Sequence, residues 1–193
     1  MELLQYAKDV QQYLLKIYEI KACNLYGSLI KGTYDDYSDI DIEIDVSGID
    51  NSLFITKIKD ILSLNYNIIF SDYAPSLAPE TYIISLAISN ENPFAIIDIK
   101  CIATPHFKTL TKEDLILKQN NYDHILKLFV ANLKHYLRGL DCLKDIQKMY
   151  KKVYINSPIS KDKHFMLDKI FLWLKKNSTD KYNLYLKNLE KYL

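Results

Sequence analysis

The sequence predicts an α+β fold, in which a mixed β-sheet core is followed by a C-terminal helical bundle. Residues 1–105 alternate between short apolar runs with strand spacing and stretches with helical spacing. After residue 105 the pattern is helical only. Charge divides at the same place: residues 1–105 hold seven Lys and Arg against fifteen Asp and Glu, and residues 106–193 hold eighteen against nine. We therefore predict a domain over 1–105 and a helical domain over 106–193.

The elements of the first domain follow from periodicity and turn signals. Residues 2–21 place apolar side chains at helical spacing, which predicts an amphipathic helix. A second helix is predicted near 52–63. The turn signal at 90–93 predicts that the two strands around it form a hairpin. Strands are predicted near 22–26, 38–46, 66–72, 80–89 and 94–103.

The second domain is predicted to contain only helices. One or two long helices are expected over 112–152, and others over 161–176 and from 179 to the end. Thr111 is predicted to cap the first of them, because acidic residues follow it in the first turn.

Composition restricts the class of protein. With 49% apolar and 25% charged residues, the chain is typical of globular proteins. It shows no signal-peptide pattern and no apolar run long enough to cross a bilayer, so we expect no membrane association. The three cysteines and four histidines lack the spacing of zinc ligands. We expect a cytoplasmic protein with reduced thiols.

The stretch from residue 25 to 45, LYGSLIKGTYDDYSDIDIEID, carries the strongest functional signal. Asp39 and Asp41 stand two residues apart on a predicted strand, and side chains at that spacing share one face. Two carboxylates on one face repel each other unless a cation lies between them. The spacing therefore predicts a divalent metal site.

Gly27 and Ser28 precede these aspartates and are predicted to begin a short helix. Free backbone N–H groups at a helix start bind phosphate. Gly27 would let the backbone approach a phosphate closely, and the Ser28 hydroxyl would donate one more hydrogen bond. A P-loop does not fit, because Thr33 stands where that motif requires Lys after its second glycine.

Asp98 is the candidate third carboxylate, since it is the single acid inside the apolar run FAIIDIKCI. A buried carboxylate without a partner is costly. We therefore expect Asp98 to face the same cleft as Asp39 and Asp41, where it would complete a metal shell or accept the proton of an attacking hydroxyl. The structural alternative is a strand-end aspartate paired with Lys100.

Together these pieces resemble the nucleotidyltransferases of the DNA polymerase β superfamily. The signature of that family is a Gly-Ser pair, then Asp-x-Asp on a strand, then a third carboxylate on a later strand. The spelling GSLIKGTYDDYSDIDI is similar to the antibiotic-modifying and small stand-alone branches. The resemblance covers about residues 20–105 and implies that the mixed sheet is a nucleotidyltransferase core.

The resemblance implies an activity and a set of ligands. Such enzymes transfer a nucleoside monophosphate from an NTP, with ATP as our default, to a hydroxyl acceptor and release pyrophosphate. Two Mg²⁺ ions would be held by Asp39, Asp41 and Asp98. Family members also close a helical segment over the nucleotide, which suggests Lys134 and Arg138, four residues apart on one helix. The predicted nucleotide-binding residues are Gly27, Ser28, Lys31, Thr33, Ser38, Lys134 and Arg138.

The acceptor stays open at this stage. An aminoglycoside-type antibiotic would suit the family branch, and the acidic residues Asp35, Asp36, Glu43 and Asp45 would suit such a polycation, whereas the basic helices argue against it. RNA ends or a protein hydroxyl are the other acceptors. The alternative function is an antitoxin-like or regulatory nucleotidyltransferase that acts on, or binds, a protein or RNA partner.

Overall fold

A computed structural model describes residues 3–89 and 91–193. These residues form two compact units. The first contains the described residues up to Ile88 together with Phe94–Gln119, and the second contains Asn120–Leu193 together with the described residues of 89–93. The domain division at residue 105 stays a prediction.

The first unit is built on a sheet that has five strands in the part of the chain described. The order across the sheet is β1-β2-β5-β4-β3, in which β2 and β5 run parallel and all other neighbours run antiparallel. A mixed sheet combined with helices confirms the α+β prediction. The strands are β1 (Ala22–Tyr26), β2 (Ile40–Asp45), β3 (Phe70–Tyr73), β4 (Tyr82–Ala87) and β5 (Ile96–Ile102).

Alternation along the strands gives the sheet one apolar face. In β2 the side chains of Ile40, Ile42 and Ile44 are fully buried, while the acids between them are half-buried on the opposite face. Burial of one such side chain contributes about 1.5–3 kcal/mol. The β2 register is therefore fixed, because a slip of one residue would bury the acids instead.

Helices of the first unit cover this apolar face. Their buried apolar side chains belong to the same core cluster as the β2 isoleucines. The helix predicted over 2–21 ends at Leu14 (Glu2 lies outside the described residues), because the next amides turn more tightly: Ile17 N–H donates to Leu14 O at 3.0 Å. The helices of the first unit are α1 (Leu3–Leu14), α2 (Gly27–Lys31), α3 (Asn51–Phe54), α4 (Ile58–Ser63) and α5 (Lys112–Leu117).

Two local predictions for this unit are confirmed. Thr111 caps α5, and its hydroxyl accepts from the Asp114 amide at 3.2 Å. β4 and β5 pair antiparallel, as a hairpin requires. Of the turn predicted between them, Asn90 lies outside the described residues.

The longer segment of the second unit, Asn120–Leu193, is built from helices. Its helices are α6 (Asn121–Leu137), α7 (Leu143–Val153), α8 (Lys163–Lys176) and α9 (Asn183–Leu189). The first three pack against one another, and the apolar stripe of α6 that includes Leu126, Phe129 and Leu133 is buried. Within the described residues, every helix is too short or too polar to span a lipid bilayer.

Candidate active site

A row of five side chains crosses the polar face of the sheet from edge to edge. Tyr26 on β1 pairs with Asp41 on β2, Asp41 with Asp98 on β5, Asp98 with Ser85 on β4, and Ser85 with Asp72 on β3. Residues paired directly across neighbouring strands point to the same side of a sheet, about 5 Å apart. The topology thus brings three carboxylates that are distant in sequence onto one line.

Gly27 lies against the Asp41 carboxylate. Its φ is +76°, and a Cβ built on it would lie 2.8 Å from Asp41 Cγ and closer still to Oδ2. Glycine is therefore required at this position both by the backbone conformation and by the lack of space. The start of α2, predicted as the phosphate cradle, and Asp41, predicted as a metal ligand, are brought into direct contact.

Asp98 is held by a buried serine. The Ser85 hydroxyl, which is 1% exposed, donates a short hydrogen bond to Asp98 Oδ1. Lys100, the alternative structural partner of Asp98, instead contacts Glu43, with its Nζ 2.8 Å from Oε2. A neutral hydroxyl that donates to a carboxylate fixes its orientation and adds no positive charge beside it.

Asp72 closes the row at the far edge of the sheet. It is 2% exposed, and its Oδ1 accepts from Gln119 Nε2 at 2.6 Å. The same Nε2 donates to Tyr73 O at 3.1 Å. Buried acids need such partners, and the amide of Gln119 supplies one of them without adding positive charge to the row.

Tyr26 reports on the electrostatics of this face. The pKa of Tyr26 is raised from 10.0 to about 12, most of all by burial and then by the negative charges of Asp41, Asp98 and Glu43. The phenol thus lies in the field of these three carboxylates. A field of this sign attracts cations to the face.

The remaining residues predicted around Gly27 take different positions. Ser28 is half-buried in α2, and Lys31 and Thr33 are exposed. Ser38 is buried, and its hydroxyl donates to Asp35 Oδ1 and accepts from the Asp35 amide, both at 2.9 Å. The Ser38 hydroxyl therefore holds the turn before β2. Asp39 is half-buried and directly precedes β2, although the predicted strand includes it.

Lys134 and Arg138 belong to the second unit. Lys134 lies in the last turn of α6 and is buried, whereas Arg138 is the exposed residue that ends this helix. Their part in nucleotide binding stays a prediction.

Most of the acids considered for a polycationic acceptor are bonded locally. Glu43 pairs with Lys100, and Asp45 Oδ1 accepts from the amide and the hydroxyl of Ser47 at 2.8 and 2.6 Å. Asp35 Oδ1 accepts from the Tyr37 amide at 3.0 Å. These contacts stabilise turns and the sheet.

The residues present fit a Mg²⁺ ion that is shared with a substrate. Among the described residues, no group of three or more His, Cys, Asp or Glu is arranged to hold a metal ion by itself. Mg²⁺ is usually bound in proteins by one or two carboxylates, and substrate phosphates and waters complete its shell. The adjacent Asp41 and Asp98 match that requirement.

Sequence reasoning missed three members of the row: Tyr26, Ser85 and Asp72. The only signal for Ser85 and Asp72 is a small polar or acidic residue inside an apolar strand, which many unrelated proteins share. Ser85 and Asp72 join the row only because β4 pairs with β5 and β3 pairs with β4.

Comparison with known proteins gives structural likeness only. No protein-family profile matches this chain, and no curated protein matches its sequence. The GLD-2/RNP-8 complex is similar over 92% of this chain and 53% of that chain, with 13% identity and a TM-score of 0.40. The polymerase core of TRAMP, an RNA surveillance complex, is similar over 92% and 62%, with 16% identity and a TM-score of 0.42. CdnC of E. coli MS115-1, solved with ATP, is similar over 98% and 61%, with 16% identity and a TM-score of 0.31.

This chain therefore spans between about half and three-fifths of the chains that it resembles. Likeness at these scores carries no weight for activity.

Proposed function

We propose that this chain is a Mg²⁺-dependent nucleotidyltransferase that transfers a nucleoside monophosphate from an NTP, with ATP as the default donor, to a hydroxyl acceptor. The observation that supports this proposal is the contact of three elements. Asp41 and Asp98 lie side by side on neighbouring parallel strands, and the backbone of Gly27 lies against the Asp41 carboxylate. The backbone proposed to bind phosphate and the carboxylates proposed to bind metal are thereby adjacent.

The metal would be held by Asp41 and Asp98, and Asp39, which directly precedes β2, is proposed as a further ligand. The resemblance implies two ions. Mg²⁺ bound there would neutralise charge on the phosphates and orient the α-phosphorus for in-line attack.

The start of α2 is proposed to bind the phosphates. The side chain of Tyr26, which precedes α2, does not cap the helix in the described structure, and backbone amides at a helix start bind anions. The Ser28 hydroxyl would donate to a phosphate oxygen. Lys31 and Thr33, which are exposed and follow soon after in the sequence, are further proposed contacts, as are Lys134 on α6 and Arg138 directly after this helix.

Asp98 is proposed to accept the proton of the acceptor hydroxyl. Ser85 donates to Oδ1, so Oδ2 is the oxygen proposed to accept the proton. The acceptor oxygen then bonds to the α-phosphorus, and the bond between that phosphorus and the oxygen bridging to the β-phosphate breaks. Pyrophosphate leaves with the electron pair of that bond.

For the acceptor, we propose only that it is a compound with a hydroxyl group. Asp35, Glu43 and Asp45 are bonded locally, so an acidic pocket for an aminoglycoside receives no support from them. If the protein binds no nucleotide, a regulatory role in which the same fold acts on, or binds, a protein or RNA partner would be favoured instead.

Calorimetric titration of the four NTPs, with Mg²⁺ and with EDTA, tests the proposal. Glu43→Gln is the matched control for Asp41→Asn, because both change one acid on the same face of β2, and Glu43 belongs to a pair with Lys100. We expect Asp41→Asn to weaken Mg²⁺-dependent binding at least tenfold, which is about 1.4 kcal/mol, and Glu43→Gln to leave it near wild type.

Two results would contradict the proposal. Equal affinity of wild-type and Asp41→Asn protein would remove Asp41 from the metal site. Failure of the wild-type protein to bind any NTP, alone or with candidate acceptors, would favour the partner-binding function.

A further inference from the structure

Lys100 is the single basic residue among the described residues of the five strands. It stands on β5, two residues after Asp98, and is paired across the sheet with Glu43, which stands two residues after Asp41 on β2. Side chains at a spacing of two share one face of a sheet and lie about 7 Å apart along the strand. The pair of Lys100 with Glu43 is therefore the next cross-strand pair after Asp41 and Asp98, on the same face.

Without Lys100, Glu43 would be a further carboxylate within reach of a metal at Asp41. Side chains in strands lean along the strand direction, and the longer side chain of glutamate can extend toward an ion that Asp41 holds. The charge of Glu43 acts on the row beside it, since after burial it is one of the three charges that raise the pKa of Tyr26. Glu43 is thus a potential metal ligand by position and by charge.

The structure shows this carboxylate bonded to the lysine. Lys100 Nζ lies 2.8 Å from Glu43 Oε2, and the two side chains are 35% and 29% exposed. An ion pair at such exposure contributes little to stability. Its effect on the metal site is larger, because it engages the carboxylate that would add a protein ligand to the site. In agreement, no three acids among the described residues are grouped to hold a metal ion.

A metal site that works with a nucleotide needs few protein ligands. Mg²⁺ in such sites is bound through one or two carboxylates together with substrate phosphates, and not by a cage made of protein alone. A further carboxylate would take a coordination position that the proposed reaction gives to a phosphate oxygen. It would also hold the ion before the nucleotide arrives.

We propose that Lys100 is a positioning residue of the metal site. By holding Glu43 in an ion pair, Lys100 restricts the ion to the row of Asp41 and Asp98 and makes metal binding depend on the nucleotide. This inference rests on the proposed function, because it concerns the same metal site.

Calorimetric titration of Mn²⁺ into the full-length protein, without nucleotide, tests this role. Lys100→Gln releases Glu43, so we expect it to bind Mn²⁺ about tenfold or more tightly than wild type does, because the number of carboxylate ligands sets metal affinity. Lys100→Met, which keeps most of the apolar stem, should do the same. Lys100→Arg keeps the ion pair and should bind Mn²⁺ as wild type does. The pair is partly exposed, so we expect these variants to fold, which circular dichroism checks.

A matched double variant separates direct ligation from the effect of charge. Lys100→Gln/Glu43→Asp has the same net charge as Lys100→Gln, but its shorter acid does not reach an ion at Asp41. We therefore expect it to lose most of the gain in Mn²⁺ affinity. A non-hydrolysable ATP analogue supplies a second readout: it should tighten Mn²⁺ binding by wild-type protein, and this coupling should be about tenfold or more smaller in Lys100→Gln.

The proposal is overturned if Lys100→Gln and Lys100→Met bind Mn²⁺ no more tightly than wild type. It is also overturned if Lys100→Gln/Glu43→Asp keeps the full gain, because charge alone would then produce it. In both cases the proposed function stands if wild-type protein keeps Mg²⁺-dependent NTP binding. If Lys100→Gln/Asp41→Asn binds Mn²⁺ as tightly as Lys100→Gln, the ion lies away from Asp41, and the proposed metal site is contradicted together with this role of Lys100.

Discussion

Gly27→Ala should affect both stability and the proposed metal site, and Gly32→Ala offers a matched control. Both glycines have left-handed φ, +76° and +69°, but a Cβ at Gly32 meets nothing within 4 Å. Each substitution therefore costs about 1–2 kcal/mol for the backbone conformation. At Gly27 the new Cβ also displaces the Asp41 carboxylate, and such overpacking costs about 1–3 kcal/mol more. We expect a total loss of about 2–5 kcal/mol for Gly27→Ala.

Urea unfolding measures these losses, and calorimetry measures Mg²⁺-dependent NTP binding by the same proteins. Gly27→Ala should lose nucleotide binding, because Asp41 can no longer occupy its place, and Gly32→Ala should keep it. A cycle with Asp41→Ala isolates the contact: in that background the extra loss at Gly27 should shrink toward the value at Gly32. Equal losses for the two glycine variants in the wild-type background would refute the close packing of Gly27 on Asp41.

Three further predictions concern the row across the sheet. Ser85→Ala should lower the free energy of unfolding by about 1–3 kcal/mol in urea titrations, since it leaves Asp98 Oδ1 without its buried donor; an unchanged value would mean that this bond is not formed. Asp98→Asn should reduce pyrophosphate release more than NTP affinity, and wild-type turnover would show that Asp98 is structural. The pKa of Tyr26 is raised from 10.0 to about 12, so the unfolded chain ionises first and stability present below pH 10 is lost as the pH rises to about 12. In unfolding titrations between pH 10 and pH 12, Tyr26→Phe should lose less stability than wild type. Asp41→Asn should lower the Tyr26 pKa only partly, because burial is the larger cause. If Tyr26→Phe lost as much stability as wild type in this range, the raised pKa would be contradicted.

The local part of the site could be predicted because its signals are close in sequence. Gly27 and Asp41 belong to one stretch, and the alternation from Ile40 to Asp45 fixes which side chains share a face. Asp98 was predicted from the cost of a lone acid in an apolar strand. The α+β class followed from the change of periodicity along the chain, which reflects burial on one side of each element.

The rest depends on tertiary pairing. Asp98 contacts Ser85 because β5 lies between β2 and β4, and Asp72 joins the same row because β3 lies beside β4. No local sequence pattern encodes this strand order. The ion pair of Glu43 with Lys100 also depends on strand pairing, and it engages the lysine that was the alternative partner of Asp98.

The most direct test of the proposed metal site is a crystal structure of the protein with Mn²⁺ and a non-hydrolysable NTP analogue, with anomalous scattering used to locate the ion. The account predicts an anomalous peak within about 2.0–2.3 Å of oxygens of both Asp41 and Asp98, with the phosphates against Gly27 and Ser28. Bound nucleotide with the ion elsewhere, or with no ion near these carboxylates, would contradict it.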